Sequence, residues 1–200
     1  MYKRQIIFLI IAVPGVILGL LMFALKDPER KEVLIDENDE RYGIKVVFSY
    51  IIKNIGAYMP LLIGSAFIVV LLYGVQSWVP TFLHRIHDWE HTRIGDQYGL
   101  VALFAGSLGV ISGPVIEKNL TNFNFRAPTI IVCIITAAVL TIAGPITFLA
   151  LSSEYVLFGI FVTSFFITLP LALFATSLQN ITPNQYRGVV SGLYVFTVNI

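Results

Sequence analysis

Residues 54–84 read NIGAYMPLLIGSAFIVVLLYGVQSWVPTFLH, and no Asp, Glu, Lys or Arg lies between Lys53 and Arg85. A helix needs about 20 apolar residues to cross a hydrocarbon core roughly 30 Å thick. This stretch is longer than that, and it lacks the alternation of a transmembrane strand. The same pattern repeats outward, in charge-free runs over 5–25, 97–116, 127–153, 155–186 and 188–200. Five of the six runs reach spanning length, and the sixth meets the end of the sequence. Composition agrees: 56% of residues are hydrophobic, 12% are charged and the mean hydropathy is +0.82. A soluble domain carries about 25% charge. The fold class is therefore all-α, a polytopic transmembrane helical bundle in a multi-pass integral membrane protein. The first run is too long for a signal-peptide core, and no small-residue cleavage site follows it.

Basic residues set the orientation, because Lys and Arg collect in cytoplasmic loops. Counting alternate loops, one side holds Lys26, Arg30, Lys31, Arg41, Lys45, Lys53, Lys118, Arg126 and Arg187, and the other Lys3, Arg4, Arg85 and Arg93. Nine against four makes the loop after the first helix cytoplasmic, and the expected location is the cytoplasmic (inner) membrane. The amino end of the first helix then faces outward, which suggests a sequence that starts within a larger protein. The expected organisation is a transmembrane helix over 1–25, a cytoplasmic loop over 26–57 and a partial transmembrane bundle over 58–200. Seven of the twelve acids lie between Asp27 and Glu40, and VLIDENDER (33–41) reads as a solvated linker. After it, residues 43–54 place Ile44, Val47, Phe48, Ile51 and Ile52 at helical spacing, which predicts a short amphipathic helix on the membrane surface.

Candidate chemistry is sparse. Cys133 is the sole cysteine, sits in an apolar run and reads as packing. His84, His87, Asp88 and His91 would share one helical face, a spacing that suits zinc. Only three histidines occur in the chain, and they read as solvated side chains, with no metal and no cofactor. On the run 54–84, Tyr73, Gln76 and Ser77 recur at i, i+3 and i+4, giving one polar face, with Gly74 and Pro80 placed to let the helix bend. Trp78 is either a cavity wall or an interfacial anchor, and its place near the outer end favours the anchor. In the run 155–186, Thr163, Ser164 and Thr168 supply hydroxyls, which also bond readily to their own helix, and Pro170 is a candidate kink. Asn199 reads as a buried polar side chain. Gly99, Gly106, Gly109 and Gly113, with Ser107 and Ser112 between them, have the spacing that lets membrane helices approach closely.

Several segments together resemble the carboxyl-terminal part of a major facilitator superfamily transporter, from the sixth of twelve helices to the start of the eleventh. Val13-Pro14-Gly15 followed by Lys26-Asp27-Pro28-Glu29-Arg30 is similar to the sixth helix and its exit, and Lys3-Arg4-Gln5 with Phe8 lies where members carry their helix entrance. Trp78-Val-Pro80-Thr-Phe82-Leu83-His-Arg85-Ile-His87, with Ile94-Gly95, resembles the seventh-helix end of bacterial spinster-like members. Pro183-Asn-Gln-Tyr-Arg187-Gly188 is similar to the turn between the tenth and eleventh helices. The resemblance implies a major facilitator fold, present here in part, and puts Gly113-Pro-Val-Ile-Glu117-Lys118 in the loop after the eighth helix. There the family repeats a Gly-x-x-x-Asp-Arg signature. Glu117 stands where that signature has Asp, and the usual following basic residues are missing from 119–125. Two readings stay open for Glu117: a gate held by an interfacial carboxylate, with Arg187 beside Gly188 as a partner, and a plain interfacial cap.

The resemblance further implies that Tyr73, Gln76, Ser77, Trp78, Thr163, Ser164, Thr168 and Asn199 line a transport pathway. It implies a secondary active transporter that moves a small organic or amphiphilic solute by alternating access, coupled to a proton or another ion. The implied partners are the lipid bilayer, the solute and an amino-terminal half of the same transporter, with no nucleic acid. No Asp, Glu or Arg lies inside the charge-free runs, so the membrane charges that couple protons in relatives would sit in the amino-terminal helices. The alternatives are a half-size protein that pairs as a dimer and a membrane-embedded enzyme. The enzyme is disfavoured by the lack of a nucleophile system, a phosphate-binding loop or clustered acids.

Overall fold

Residues 54–84 form most of one uninterrupted helix, α3 (Ile55–Ile86), which runs through Pro60 and Pro80 without breaking. The computed structural model describes residues 2–23, 44–125 and 127–199. The acidic linker, the Lys26–Arg30 motif, Gly43 and Arg126 lie outside the described residues. The chain divides into two compact units, 1–37 and 38–200. The described part of the first is α1 (Tyr2–Met22), with Pro14 inside it.

In the second unit, α2 (Ile44–Lys53) leads through Asn54 into α3. The short α4 (His91–Arg93) continues through a π turn (Ile94–Tyr98) into α5 (Gly99–Asn122). Next come α6 (Pro128–Leu149), α7 (Ser153–Thr168), α8 (Leu171–Ile181) and α9 (Arg187–Asn199). No strand occurs among the described residues. Four stretches there are long and apolar enough to cross a membrane: Ile55–Ile86, His91–Asn122, Pro128–Leu149 and Ser153–Ile181. The last contains the break between α7 and α8 at Leu169 and Pro170. A proline lacks the N–H that a continuing helix needs and clashes with the preceding turn.

Helix ends follow local chemistry. Asn124 adopts φ 61°, a left-handed conformation that Asn tolerates better than most residues. It ends α5 in a Schellman arrangement, with Phe125 N–H on Leu120 O at 3.2 Å and Asn124 N–H on Thr121 O at 2.9 Å. Gly113 to Lys118 therefore lie within the last turns of α5 and not in the loop expected for them. Pro114 removes only one hydrogen bond, and nothing stops the helix until Asn124. At the other end of the bundle, Asp88 (φ 51°) turns the chain after α3. Because α3 stops at Ile86, the helical face expected to gather His84, His87, Asp88 and His91 does not form.

Three buried clusters hold the second unit together. At one end Val47 and Ile51 of α2 pack with Tyr58, Leu62, Leu178, Tyr186 and Val190. At the other, Val79 and Leu83 of α3 pack with Trp89, Ile94, Val156 and Ile160. Between α5, α6 and α8, Val132, Leu169 and Leu173 form the third. These pairings make successive long helices antiparallel and define a Thr182 end and a Trp89 end. Many large apolar side chains outside the clusters remain exposed, which suits lipid and not water. Close helix contact comes from glycine. A Cβ on Gly109 would strike the Phe165 carbonyl and the Thr168 hydroxyl, and one on Gly113 would strike the Leu169 carbonyl. Gly106 has ordinary contact with Thr168, whereas Gly99 faces open space. The expected packing role thus belongs to the Gly109–Gly113 half of the series.

Candidate functional site

The Thr182 end carries a set of polar ties between helices. Glu117, half-buried near the end of α5, accepts a short hydrogen bond from the Thr129 hydroxyl. Thr129 sits in the first turn of α6, just after Pro128, whose fixed φ suits a helix start. Its hydroxyl also lies 3.2 Å from Ser177 Oγ on α8. One carboxylate thereby joins three helices. Lys118 is exposed.

A second tie connects α3 to the turn after α8. The Tyr58 and Thr182 hydroxyls are 2.8 Å apart and buried. Arg187 donates Nε–H to the carbonyls of Gln179 at 3.0 Å and Thr182 at 3.2 Å. A cation here satisfies orphan carbonyls and suits the negative end of the helix dipole. The anticipated pairing of Arg187 with Glu117 is not formed: among the described residues each engages other partners. Gly188 beside Arg187 is exposed, with open space around it.

The pathway candidates divide. Tyr73, Gln76 and Ser77 are all exposed and share one face of α3. At about 100° per residue, Trp78 points roughly 150° away from the middle of that face. It borders instead an open pocket of about 420 Å³ with Phe82, Arg85, Ile86 and Phe148. Thr163 and Thr168 are buried, and their hydroxyls close on their own helix, Thr163 on Gly159 O at 2.6 Å and Thr168 on Ser164 O at 3.0 Å. Thr168 belongs to the seam between helices, against Gly109, and Ser164 is half-buried. Asn199, read from sequence as buried, is exposed and donates to Val195 O at 2.8 Å. An i−4 carbonyl lies within reach of a short amide near a helix end, so no distant partner is needed.

A groove of about 500 Å³ opens between α3, α6 and α8, lined by Gly64, Phe67, Cys133, Thr136 and Phe174 among others. It is apolar except for a few hydroxyl and thiol groups, and the buried Thr136 hydroxyl has no partner. At the Trp89 end, the His84 and His91 rings stack at 4.4 Å, and His84 Nδ1 lies 2.9 Å from Trp89 O. His87 turns away, edge-on to Phe82 at 5.3 Å. No group of three or more potential metal ligands occurs among the described residues. Arg93 covers the Trp89 ring at 4.0 Å.

Sequence reasoning missed Thr129, Ser177, Tyr58 and Thr182. No spacing rule couples residues 12, 48 or 124 positions apart. The available signal was weaker: hydroxyl side chains clustered near the predicted helix ends on one side.

The family model described as Major Facilitator Superfamily matches residues 4–200. Among solved structures, the chain is similar to a bacterial homolog of the human lysosomal transporter Spinster, in an inward-facing and unoccupied conformation. The identity is 18% and the TM-score 0.65, over 96% of this chain and 40% of that one. This chain thus spans less than half the length of that relative. No curated protein matches.

Proposed function

The chain belongs to the major facilitator superfamily, a family of membrane transporters and not of enzymes, and from that premise we propose that its bundle forms one moving half of a secondary active transporter. The half rocks against a second helical bundle, carries a small organic or amphiphilic solute by alternating access, and draws on a proton gradient across the cytoplasmic membrane. The observation that carries this reading is the exposed polar face of α3. Tyr73, Gln76 and Ser77 stand uncovered within the second half of an apolar spanning helix. Polar groups at such depth are costly when they face lipid, so a water-lined passage is the environment that suits them. The length of the solved relative, of which this chain covers 40%, leaves room for the opposing bundle.

The ties at the Thr182 end suit the gate of such a machine. Glu117 holds α5, α6 and α8 together through hydroxyls, which exchange partners at small cost when helices shift. Arg187 holds the α8–α9 turn through the Gln179 and Thr182 carbonyls.

The test is solute uptake by the protein reconstituted in vesicles under an inward proton gradient, with Gln76→Leu beside the unaltered protein. The expected result is gradient-dependent uptake that Gln76→Leu lowers at least tenfold while the protein still inserts and melts normally. Failure to move any solute in a broad panel counts against the proton-driven reading. Uptake untouched by Gln76→Leu removes α3 from the pathway.

A further inference from the structure

The amphipathic helix α2 has a feature that transport does not use. Val47 and Ile51 are buried in the cluster with Tyr58 and Tyr186. Ile44, Phe48 and Ile52 form an exposed stripe, the first and last 65% exposed, and Val46 is exposed apart from that stripe. Next to the exposed stripe, Lys45, Ser49 and Lys53 follow at i, i+4 and i+8, so they share one line along the helix. At 1.5 Å rise per residue the two lysines start about 12 Å apart, near enough for their side chains to converge. That line borders an open concavity of about 410 Å³ whose lining also holds Val46, Tyr50 and Tyr186. Among the described residues its lining holds two ammonium groups and no carboxylate.

The surroundings say where this concavity lies. One residue, Asn54, separates α2 from the start of a membrane span. Tyr50, Tyr58 and Tyr186 gather there, with ring centroids 6.3 Å and 5.4 Å from Tyr50, and tyrosines favour the membrane–water boundary. An exposed apolar stripe flanked by lysines is the pattern of a helix lying in the headgroup layer.

We propose that this concavity binds the phosphate of an anionic phospholipid, held by Lys45 and Lys53 with Ser49 between them, while the acyl chains run along Ile44, Phe48 and Ile52. Charge selects the lipid, because a zwitterionic headgroup returns a cation to the two ammonium groups. The apolar stripe requires an occupant with acyl chains, which a free phosphate lacks. A bound lipid would fix α2 against the bundle and tie the start of α3 to the leaflet on that side.

The test is lipid binding to the full chain in neutral detergent, followed by the rise in melting temperature on titration. The probes are dioleoylphosphatidylglycerol, dioleoylphosphatidylcholine and inorganic phosphate. The unaltered protein should bind the anionic lipid at least tenfold more tightly than the zwitterionic one. Lys45→Gln/Lys53→Gln should lose about thirtyfold in affinity, since each lysine near an anionic surface contributes about a factor of five. Both lysines are exposed, so the lipid-free melting temperature should stay unchanged, and Lys45→Arg/Lys53→Arg should restore binding. Lys118→Gln, an exposed cation on α5, should leave the affinity within twofold and so separate a site from general attraction. Equal binding of the two lipids, or full binding by the Gln pair, overturns the proposal. Displacement of the lipid by millimolar inorganic phosphate also overturns it, and assigns the lysines to a soluble anion.

Discussion

The two ends of the bundle are joined by different forces. At the Trp89 end, Val79, Leu83, Trp89, Ile94, Val156 and Ile160 interdigitate, with the Arg93 guanidinium lying on the indole. At the Thr182 end an apolar cluster is also present, but the helices are tied as well by Glu117–Thr129–Ser177, Tyr58–Thr182 and Arg187 on two carbonyls. Apolar contact is non-directional and changes little when a helix slides by a fraction of an ångström. A hydrogen bond weakens steeply with angle and distance, so a polar end has defined made and broken states. Under the gate proposed above, the difference is a division of labour: one end would supply cohesion, and the other contacts that switch.

The strongest challenge to this division is Leu83→Ala. Leu83 is fully buried in the Trp89-end cluster, and truncating a buried leucine costs about 2–5 kcal/mol when the cavity cannot collapse. Thermal unfolding in detergent should show that loss. Alkylation of Cys133, which borders the α3–α6–α8 groove, should proceed at the unaltered rate. Glu117→Gln should do the reverse. A hydrogen bond to a charged group is worth about 1 kcal/mol more than a neutral one, so stability should fall by only about that much. Loosening α5, α6 and α8 should nevertheless raise Cys133 alkylation severalfold. If both variants move melting and alkylation in the same proportion, the ends are not different and the gate has no place at Glu117.

The ends also differ in how far sequence could read them. The spans were legible because a bilayer demands long apolar runs, and α3, α6 and the α7–α8 pair fall where charge disappears. The Pro170 break was legible from the proline, and α2 from the spacing of Ile44, Val47 and Ile51. Polar ties were not, since nothing local links Glu117 to Thr129 or Tyr58 to Thr182. Gly113–Lys118 lies inside α5 and not in the loop that the family resemblance implies, because the chemistry that ends the helix comes only at Asn124. The histidine face failed because a periodic pattern was extended past Ile86, where Asp88 turns the chain. Hydroxyls on Thr163 and Thr168 looked like a lining, but a helical threonine close to an i−4 carbonyl spends its hydroxyl there.

The smallest expected effect tests the comparison along a single helix. Between its Trp89 end and its Thr182 end, α5 passes from Gly99, where an added Cβ would meet open space, to Gly109 and Gly113, where it would meet the backbone of α7 and Leu169. Replacing a helical glycine by alanine gains up to about 1 kcal/mol, because the glycine chain loses more freedom on ordering. Gly99→Ala should therefore raise the melting temperature slightly, with Cys133 alkylation unchanged. The same methyl at Gly109 meets the Phe165 carbonyl, which cannot rotate aside as a flexible side chain would, so steric cost there outweighs the helix gain. A destabilised Gly99→Ala would mean that α5 is held as tightly at the Trp89 end as at the other. The close backbone seam would then run the full length of the helix instead of ending near Gly109.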